Sequence, residues 1–581
     1  MGIMTRNGND SKNSYNLRIF LLIAGLAVFA VFVGIKLFDL QILNYEYYQN
    51  LATRQQGSVK TILPKRGEIY LSPIEGKGEP LLVATNITKN LVFAVPKQIN
   101  NPGNIAAKLA PLLQTSTTEI ETRLSSGNPT YVLLKKQLSD EVSEHISEMK
   151  LLGIYLEPET LRYYPEKNLV SQVLGFLGFK NDTRVGQYGI EGKFEKNLAG
   201  SSGEMGIEKD EAGRWITLTS RSFTPAQDGD NIFLTIDPAI QFKAQAVLKS
   251  SVEAHQAESG SAVVLDPRTG AVLAMANYPD FDPNEYSKVK DIAVFSNNIV
   301  TSEYEPGSVF KPITMSAAIN EQKVTPDTTY TDTGLLEIDD RKIQNSDGKA
   351  NGEQTMTQVL EKSLNTGAVF AEQQLGNDLF RKYVKDFGFG SLLDFELPGQ
   401  AKGNIDNLNR KGNIFFATAS FGQGITVTPL QLATAFTAFA NGGKMMNPYV
   451  VKKIVHSDQT ENETFPRQIS QVIDPKTAAS LSAMLVNVVE NGHGKQAAVK
   501  GYYIAGKTGT AQVAFTDRSG YDPNRNIGTF VGFGPVDNPA FVALVRIHSP
   551  KNVKFAESTA APAFGEIASF ILNYLQIPSS R

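Results

Sequence analysis

Four serines in this chain are followed by a lysine three residues later. On a helix this spacing brings the two side chains together on one face. A lysine shielded from water there can take the proton of the serine hydroxyl, which makes the serine a nucleophile without any histidine. Solvated pairs share this spacing by chance, so the pattern alone selects none of the four. The pairs are Ser147–Lys150, Ser287–Lys290, Ser308–Lys311 and Ser346–Lys349.

The surroundings of Ser308 distinguish it from the other three serines. It follows Pro306 and Gly307, which interrupt regular structure, and it precedes an apolar run that predicts a helix. Its hydroxyl is therefore expected at a helix N-terminus, where free N–H groups and the helix dipole favour negative charge. The other pairs lie in strongly polar stretches. The sequence therefore favours the pair Ser308 and Lys311 for this chemistry.

Two further elements follow Ser308 along the chain. Ser363-Leu364-Asn365 has the pattern S-x-N, which also occurs elsewhere, and Lys507-Thr508-Gly509-Thr510 contains the one K-T-G of the sequence. Lys507 offers positive charge and hydrogen-bond donors to a carboxylate. Gly509 lacks a side chain, so a substrate backbone is expected to lie against this segment. The order S-x-x-K, S-x-N, K-T-G is the set found in penicillin-binding proteins and class A β-lactamases.

These residues need a rigid frame, and the sequence after residue 228 predicts one. Strands at both ends of this region, with helices between them, predict an α+β domain in which helices pack on one antiparallel sheet. A proline–glycine turn at 267–270 predicts a hairpin between two of the strands. The predicted strands are 231–236, 261–266, 271–276, 502–505, 529–533 and 541–547, and the predicted helices include 430–440 and 476–489.

The length of 581 residues predicts two or three folded units. We expect a tail at 1–18, a membrane anchor at 19–43, an N-terminal module at 44–227 and a catalytic domain at 228–575, with a turn-rich boundary at 224–230. Within the N-terminal module, residues 114–150 are expected to be largely helical and polar. Residues 181–213 are rich in Gly, Glu and Lys, and we expect them to be irregular and exposed.

An uncharged apolar run at residues 19–35 predicts a membrane-spanning helix, extended by further apolar residues up to 43. Arg6, Lys12 and Arg18 precede it, opposed by Asp10. The positive-inside rule then predicts a cytoplasmic N-terminus and an extracytoplasmic main part. No small-x-small cleavage site follows the run, so we expect an uncleaved, single-pass anchor in the cytoplasmic membrane.

Composition excludes several other classes of function. The net charge of −3 gives no electrostatic basis for nucleic-acid binding, and the absence of cysteine excludes disulfides and thiolate chemistry. The histidines show no metal-ligand spacing and are interpreted as scattered surface or packing residues, so no metal or cofactor is expected. They are His145, His255, His456, His493 and His548.

Several segments resemble the class B penicillin-binding proteins, and together they cover the chain from the anchor to about residue 575. The stretch Tyr304 to Lys311 looks like the active-serine segment of that family, and 421–433, beginning Phe-Gly-Gln-Gly, resembles its helix-entry motif. Arg66-Gly67-Glu68-Ile69-Tyr70 and the segments at 189–191 and 198–203 are similar to its N-terminal motifs. The resemblance implies a penicillin-binding/serine β-lactamase-like transpeptidase domain and an elongated, dimerisation-like pedestal. The usual turn after Tyr70 is replaced, which puts the local shape of the pedestal in doubt.

The resemblance also implies a mechanism. Ser308 attacks the D-Ala–D-Ala amide of a peptidoglycan stem peptide, with Lys311 as its base, and a second stem's amine takes up the acyl group. Ser363, through Lys507, relays the proton to the leaving amine. The N–H groups of Ser308 and Thr510 form the oxyanion hole. Asn365 positions the donor, while Thr508 and Thr510 bind its carboxylate beside Gly509. β-Lactams mimic the donor and stay on Ser308.

The resemblance leaves related functions to be weighed. Glu305 before Pro306 favours a septal enzyme over an elongation enzyme. The partners of a septal enzyme would be a SEDS-family glycan polymerase and other division proteins. A serine β-lactamase, a D,D-carboxypeptidase and an inactive division scaffold are the alternatives. A β-lactamase needs a glutamate that activates water. Between Ser363 and Lys507 none stands out: Glu372 is interpreted as lying on a polar helix face, and Glu396 is the least easily dismissed. The others are Glu461, Glu463 and Glu490.

Overall fold

The computed structural model describes residues 10–45, 57–126, 128–181, 183–208, 223–515, 518, 520–553 and 555–581. The chain divides into two compact units, one formed by residues 1–64 and 201–227 and the other by 65–200 and 228–581. Arg6, one of the cations that predict the orientation of the anchor, lies outside the described residues.

The smaller unit contains the long helix Asp10–Phe38, which continues into a π-helical turn at Asp39–Leu43. Among the described residues, one helix is long and apolar enough to cross a membrane, at Leu17–Leu43. Its 27 residues extend about 40 Å at 1.5 Å per residue, more than the roughly 30 Å of a hydrocarbon core. The unit also holds a three-stranded antiparallel sheet of Gly57–Ile62, Gly203–Glu208 and Phe223–Thr224.

The N-terminal part of the larger unit is built around the long strand Leu81–Ala94. This strand pairs with Ile154–Tyr163, Val132–Lys135 and Ile69–Leu71, and the last of these runs parallel to Asn231–Leu234. Because Asn231–Leu234 also pairs with Val451–Val455 from the C-terminal half of the chain, one sheet joins both halves. The sheet continues through Val451–Val455 to Glu461–Glu463, and a separate hairpin is formed by Phe176–Lys180 and Thr183–Gln187.

One expectation for this region was correct in part, and another was wrong. Residues 114–150 contain a strand, Val132–Lys135, between the helices Thr117–Ser126 and Asp140–Glu148, because its apolar residues complete the edge of the sheet and bury Leu134. Residues 183–208 form strands and short helices rather than irregular structure, and Glu191 is completely buried. Residues 182 and 209–213 of the predicted segment lie outside the described residues. Glu191 and Glu195, whose charges suggested exposure, pair with Arg66 from an earlier segment of the chain.

The C-terminal part contains a five-stranded antiparallel sheet, here called the central sheet, which confirms the expected α+β architecture. The hairpin Ser259–Leu265 and Val272–Tyr278 lies at one edge, as predicted. From Ser259–Leu265 the sheet continues through Phe541–His548 and Tyr521–Gly534 to the other edge strand, Ala505–Ala514. The predicted strand 502–505 is therefore displaced, because the strand begins at Ala505 and contains the K-T-G segment instead of preceding it.

Both faces of the central sheet are buried because successive side chains point to opposite sides. Ala262 and Val264 pack into the core below the terminal helices Pro238–Ala254 and Ala560–Tyr574. Val263 packs into the larger core on the other face, beneath the helical part of the domain. A strand buried on both faces reads as a continuous apolar run, as this one does.

The remaining elements form the helical part and its small hairpins. Predicted helices 430–440 and 476–489 are confirmed as Pro429–Ala440 and Pro475–Glu490. The other helices of the larger unit are Pro102–Leu113, Ser171–Leu174, Gly189–Lys193, Glu195–Ala199, Asn298–Thr301, Lys311–Asn320, Met356–Glu361, Asn365–Leu375, Asn377–Asp386 and Asn413–Ser420. Short 3-10 helices lie at Pro96–Gln98, Pro283–Lys288, Ile292–Phe295, Gly307–Phe310, Asp406–Asn409, Lys495–Ala497 and Ala556–Ser558. The remaining strands are Thr329–Asp332, Leu335–Ile338, Arg341–Gln344, Gly352–Thr355, Lys444–Met446 and Gln468–Gln471.

Candidate active site

Ser308 lies in a single 3-10 turn, Gly307–Phe310, that leads directly into the helix Lys311–Asn320. Val309 and Phe310 are fully buried and anchor the turn in the core, while Ser308 itself is half-buried and lines an open cleft. The serine is therefore at the start of a helix, as its sequence context predicts.

The Ser308 turn rests on a contact between two glycines. Gly307 has φ +61° and Gly422 has φ +80°, both in the left-handed region. The N–H of Gly307 donates to the carbonyl of Gly422 over 3.0 Å. A Cβ on Gly422 would lie 2.2 Å from the carbonyl oxygen of Gly307. The Phe-Gly-Gln-Gly segment thus supports the backbone of the active-serine turn.

Gly509 of the K-T-G segment contacts the same turn from the central sheet. A Cβ there would lie 2.9 Å from the carbonyl oxygen of Pro306 and 3.0 Å from the N of Val309. From the sequence, we expected a substrate backbone to lie against Gly509. In the structure the missing side chain is required for the strand to approach the Ser308 turn.

Two lysine amines converge on the hydroxyl of Ser363. Lys311 Nζ donates to the Ser363 carbonyl over 2.5 Å and lies 3.3 Å from Ser363 Oγ. Lys507 Nζ donates to Ser363 Oγ over 3.0 Å and to the carbonyl of Thr508 over 3.0 Å. Both lysines are buried, with 1% and 0% exposure. Ser363 Oγ therefore bridges the two amines.

Burial changes the acidity of both amines. Desolvation, followed by the nearby charge of Lys507, holds the pKa of Lys311 well below its usual range. Desolvation also lowers the pKa of Lys507 to about 7, although the carboxylate of Glu557 opposes this change. Neutral amines are therefore accessible near neutral pH, which is what a lysine base requires.

Ser363 has φ +57°, a left-handed conformation that is costly for a residue other than glycine. The turn is fixed by hydrogen bonds from the N–H of Ser363 to the carbonyl of Leu360 and from Leu364 to Val359. This backbone places the Ser363 hydroxyl and carbonyl on the side of the two lysines.

Asn365 begins the helix Asn365–Leu375 and lies beside a second cavity. Its Nδ2 donates to the carbonyl of Gln344 over 2.8 Å, and its N–H donates to Oδ1 of Asn345 over 2.9 Å. The second cavity is lined by Asn365 together with residues such as Gln423 and Tyr521, whereas Ser363 lines the cleft of Ser308.

A buried carboxylate that sequence reasoning missed, Asp332, organises this loop. Its oxygens accept from Asn345 Nδ2, from Thr366 Oγ1 over 2.7 Å and from Asn351. Burial favours the neutral acid, but these hydrogen bonds keep the pKa of Asp332 below its usual value. Asp332 thereby holds Asn345, which in turn holds the backbone of Asn365. No motif signalled this role.

The cleft brings the three motifs together with residues from other segments. Thr508 is nearly buried and Thr510 is exposed, and the hydroxyl of Thr510 accepts from the N–H of Ala556 over 3.0 Å. The lining residues are Ser308, Ser346, Asp347, Lys362, Ser363, His493, Thr508, Thr510, Phe555 and Glu557.

His493 and Glu557 were missed by the sequence analysis. His493 was interpreted as a scattered histidine, and Glu557 falls outside the interval searched for glutamates. In the structure His493 Nδ1 lies 2.9 Å from Glu557 Oε2 at this cleft. The two residues are 64 positions apart, so no local sequence pattern links them. The one available signal is the position of Glu557 shortly after the last strand of the sheet, where a loop that lines a cleft is expected.

The glutamates between Ser363 and Lys507, which were weighed as possible activators of water, do not line the cleft of Ser308. Glu372 is 2% exposed, so its placement on a polar helix face was wrong; burial raises its pKa to about 7. Its helix packs that side against the helical core. Glu396 accepts a hydrogen bond of 3.0 Å from the N–H of Val450, and Glu490 pairs with Arg581. Within the described ranges, no three His, Asp or Glu side chains form a group that could hold a metal ion.

Comparison with known proteins assigns both parts of the chain. The family model of the penicillin-binding protein transpeptidase domain matches residues 260–569, and that of the penicillin-binding protein dimerisation domain matches residues 61–234. Stage V sporulation protein D of Bacillus subtilis is 33% identical over 557 residues, covering 94% of this chain and 84% of that protein. Peptidoglycan D,D-transpeptidase FtsI of Escherichia coli K12 is 30% identical, covering 98% of this chain and 93% of that protein.

A solved structure agrees with these matches. Penicillin-binding protein 3 of Mycobacterium tuberculosis, complexed with aztreonam, matches with a TM-score of 0.68 and 25% identity over 90% of this chain and 98% of that chain. The family resemblance inferred from the motifs is confirmed.

Proposed function

The chain belongs to the penicillin-binding protein transpeptidase family, and we propose that it cross-links peptidoglycan by transferring a stem peptide through an acyl-enzyme on Ser308. The observation that carries this proposal is the convergence of Lys311 and Lys507 on Ser363 Oγ in the cleft of Ser308. A buried amine next to a hydroxyl can move protons in both the formation and the breakdown of an ester.

In this proposal the residues of the three motifs share the catalytic steps. Ser308 attacks the D-Ala–D-Ala amide while Lys311 takes its proton, and the lowered pKa of Lys311 supports that role. Ser363 and Lys507 pass a proton to the leaving D-Ala, which is consistent with the 3.0 Å contact between their side chains. The N–H groups of Ser308 and Thr510 stabilise the oxyanion.

The substrate-binding roles follow the same reasoning. Thr508 and Thr510 bind the terminal carboxylate of the donor along the strand Ala505–Ala514, next to Gly509. Asn365 positions the donor from the other side of Ser363. β-Lactams occupy the donor site and acylate Ser308.

For cellular context, we propose a septal enzyme anchored in the cytoplasmic membrane, with its N-terminus in the cytoplasm. Glu305 before Pro306 supports the septal over the elongation type, and the names of the two relatives agree with it. A SEDS-family glycan polymerase and other division proteins are the proposed partners. Residues 44–227 would form the pedestal and 228–575 the catalytic domain, in agreement with the two family models.

The test is the fate of the acyl group. Purified full-length protein in detergent is acylated with benzylpenicillin, and recovery of free Ser308 is followed by labelling with a fluorescent penicillin. A transferase should keep the ester for many minutes or longer. Recovery within seconds would reject the proposal in favour of a β-lactamase. Release of D-Ala from a stem-peptide analogue without amide formation, even with excess amine, would favour a carboxypeptidase.

A further inference from the structure

His493 and Glu557 form a carboxylate–imidazole pair at the cleft of Ser308. Nδ1 of His493 lies 2.9 Å from Oε2 of Glu557, and both residues line the cleft with Ser308 and Ser363. The side chains are 52% and 39% exposed. The pair is therefore at the open side of the site, where it can exchange protons with water.

Both partners are tied to the cleft walls by their neighbours. Glu557 lies in the 3-10 turn Ala556–Ser558, and the N–H of Ala556 donates to the hydroxyl of Thr510 over 3.0 Å. His493 follows Gly492, where a Cβ would lie 2.4 Å from the carbonyl oxygen of Glu361. This close packing fixes the loop against the residue next to Lys362. The pair thus has a defined place between the K-T-G strand and the S-x-N side of the cleft.

The pair has a defined chemical polarity. An ionised carboxylate accepts hydrogen bonds and cannot donate them, so the proton of this bond belongs to Nδ1 of His493. In the neutral imidazole Nε2 then carries a lone pair. Among the described residues, no group forms a hydrogen bond with Nε2 of His493. The carboxylate therefore presents an imidazole with a free proton acceptor to the cleft.

Resting on the proposed transferase function, we propose that His493 deprotonates the acceptor amine and that Glu557 is its positioning residue. The acceptor arrives as an ammonium ion, which is not a nucleophile. The cleft that receives it is lined by Lys362, and the amines of Lys311 and Lys507 are buried beside it. Lys362 donates to Gln354 over 2.7 Å, and Asp347 is the other acidic residue among those that line the cleft. The charge of Glu557 attracts the ammonium ion, and Nε2 of His493 accepts its proton.

The acceptor nitrogen loses two protons in the complete step. The first passes to Nε2 of His493 and then to water, which leaves a neutral amine. The amine attacks the ester carbonyl, the new C–N bond forms, and the C–O bond to Ser308 breaks. The second proton passes through Lys311 to Ser308 Oγ, which restores the free hydroxyl. The acyl group ends as an amide, and His493 returns to its neutral form.

The structure provides variants that separate this role from folding. Exposed ion pairs contribute little to stability, so His493→Gln and Glu557→Gln should fold. His255 is half-buried, and its side chain contacts a single side-chain oxygen, that of Asn552 at 3.2 Å. His255→Gln is therefore a matched control outside the cleft. Because Glu557 also raises the pKa of Lys507, acylation must be measured separately for each variant.

The experiment uses the full chain in detergent, a thioester analogue of the donor stem peptide and two amine acceptors. One acceptor reacts through an ε-amine of pKa about 10.4 and the other through an α-amine of pKa about 8. In His493→Gln, transfer to the ε-amine should fall at least tenfold at pH 7.5, and transfer to the α-amine should fall less than threefold. Penicillin acylation should stay within twofold of wild type. Glu557→Gln should show the same split, with a smaller loss.

Other outcomes have distinct meanings. Equal losses for both acceptors, or unchanged transfer to the ε-amine, would overturn the role of His493. A parallel loss of penicillin acylation would assign the pair to the shape of the cleft and also overturn it. If wild-type protein is acylated but never forms an amide with either acceptor, the proposed transferase function fails instead. If His493→Gln unfolds, Glu557→Gln tests the same proposal, through the unequal loss of transfer to the two acceptors.

Discussion

Gly422 lies against Gly307 so closely that a Cβ on Gly422 would be 2.2 Å from the carbonyl oxygen of Gly307. The two residues are 115 positions apart in the sequence, yet a hydrogen bond of 3.0 Å joins their backbones. The conformation of the turn that holds Ser308, the proposed nucleophile, therefore depends on a segment that carries no reactive side chain.

Gly422→Ala should disrupt the active-serine turn. The added methyl group requires both a backbone shift and a left-handed alanine, which together should cost roughly 2–5 kcal/mol. Gly376→Ala is the control, because Gly376 has φ +88° but nothing within 4 Å of its Cβ position. Its backbone strain alone should cost about 1–3 kcal/mol. Thermal unfolding and the rate of penicillin acylation measure both effects. Equal acylation rates in the two variants would contradict the support role of Gly422.

Ser308 should be the one site of penicillin attachment. Intact-protein mass spectrometry after benzylpenicillin should show a single adduct that is absent in Ser308→Ala. Ser346→Ala is a matched control, since Ser346 lines the same cleft and also precedes a lysine by three residues. Ser346→Ala should still be acylated. An adduct on Ser346 or Ser287 would overturn the assignment.

The buried amine of Lys507 should make stability depend on pH. Its pKa is about 7 in the folded protein against 10.5 for the exposed side chain, so between these values the unfolded state binds more protons than the folded state. The free energy of unfolding should then rise with pH from about 7 to about 10.5. Relative to wild type, Lys507→Met should show a shallower rise in thermal midpoint across this range. Lys495→Met, at an exposed lysine, should follow wild type. A steeper rise in Lys507→Met would show that the amine is charged in the fold.

The buried carboxylate of Glu191 should be important for stability of the N-terminal module. Its oxygens pair with Arg66 at 2.6 Å and Arg162 at 2.7 Å, and Glu191 is completely buried. Glu191→Gln removes the anion that the two guanidinium groups share and leaves Arg66 with Glu195 alone, which should cost about 3–5 kcal/mol. The control Glu285→Gln breaks an exposed pair with Lys288 and should cost less than about 1 kcal/mol. Similar thermal midpoints for the two variants would contradict this ranking.

The orientation of the anchor can be tested with fusions. A reporter that is active only outside the cytoplasm should be active when fused after residue 60 and silent when fused at residue 10. Lys12 and Arg18, which precede the apolar run, favour this orientation. The reverse pattern of activity would contradict it.

The motifs were recognisable from the sequence because each is local. S-x-x-K, S-x-N and K-T-G are short, and the residues around Ser308 already predict a helix start. The strands of the central sheet were predictable for the same reason, since each is a continuous apolar run bounded by turns. Even so, the strand holding Lys507 was misplaced, because hydrogen bonding to Tyr521–Gly534, and not apolar content, determines where it begins.

The sequence by itself indicated which residues could carry the chemistry, because nucleophile and base types are defined by their side chains and spacing. Only the tertiary structure decided what surrounds them. The contact of Lys507 with Ser363 spans 144 residues, and that of His493 with Glu557 spans 64. The burial of Glu191 and Glu372 could not be predicted from the sequence either. A glutamate is expected to be exposed unless the packing of other segments removes it from water. Desolvation and long-range contacts are properties of the packed chain, and they set the acidity of Lys311 and Lys507.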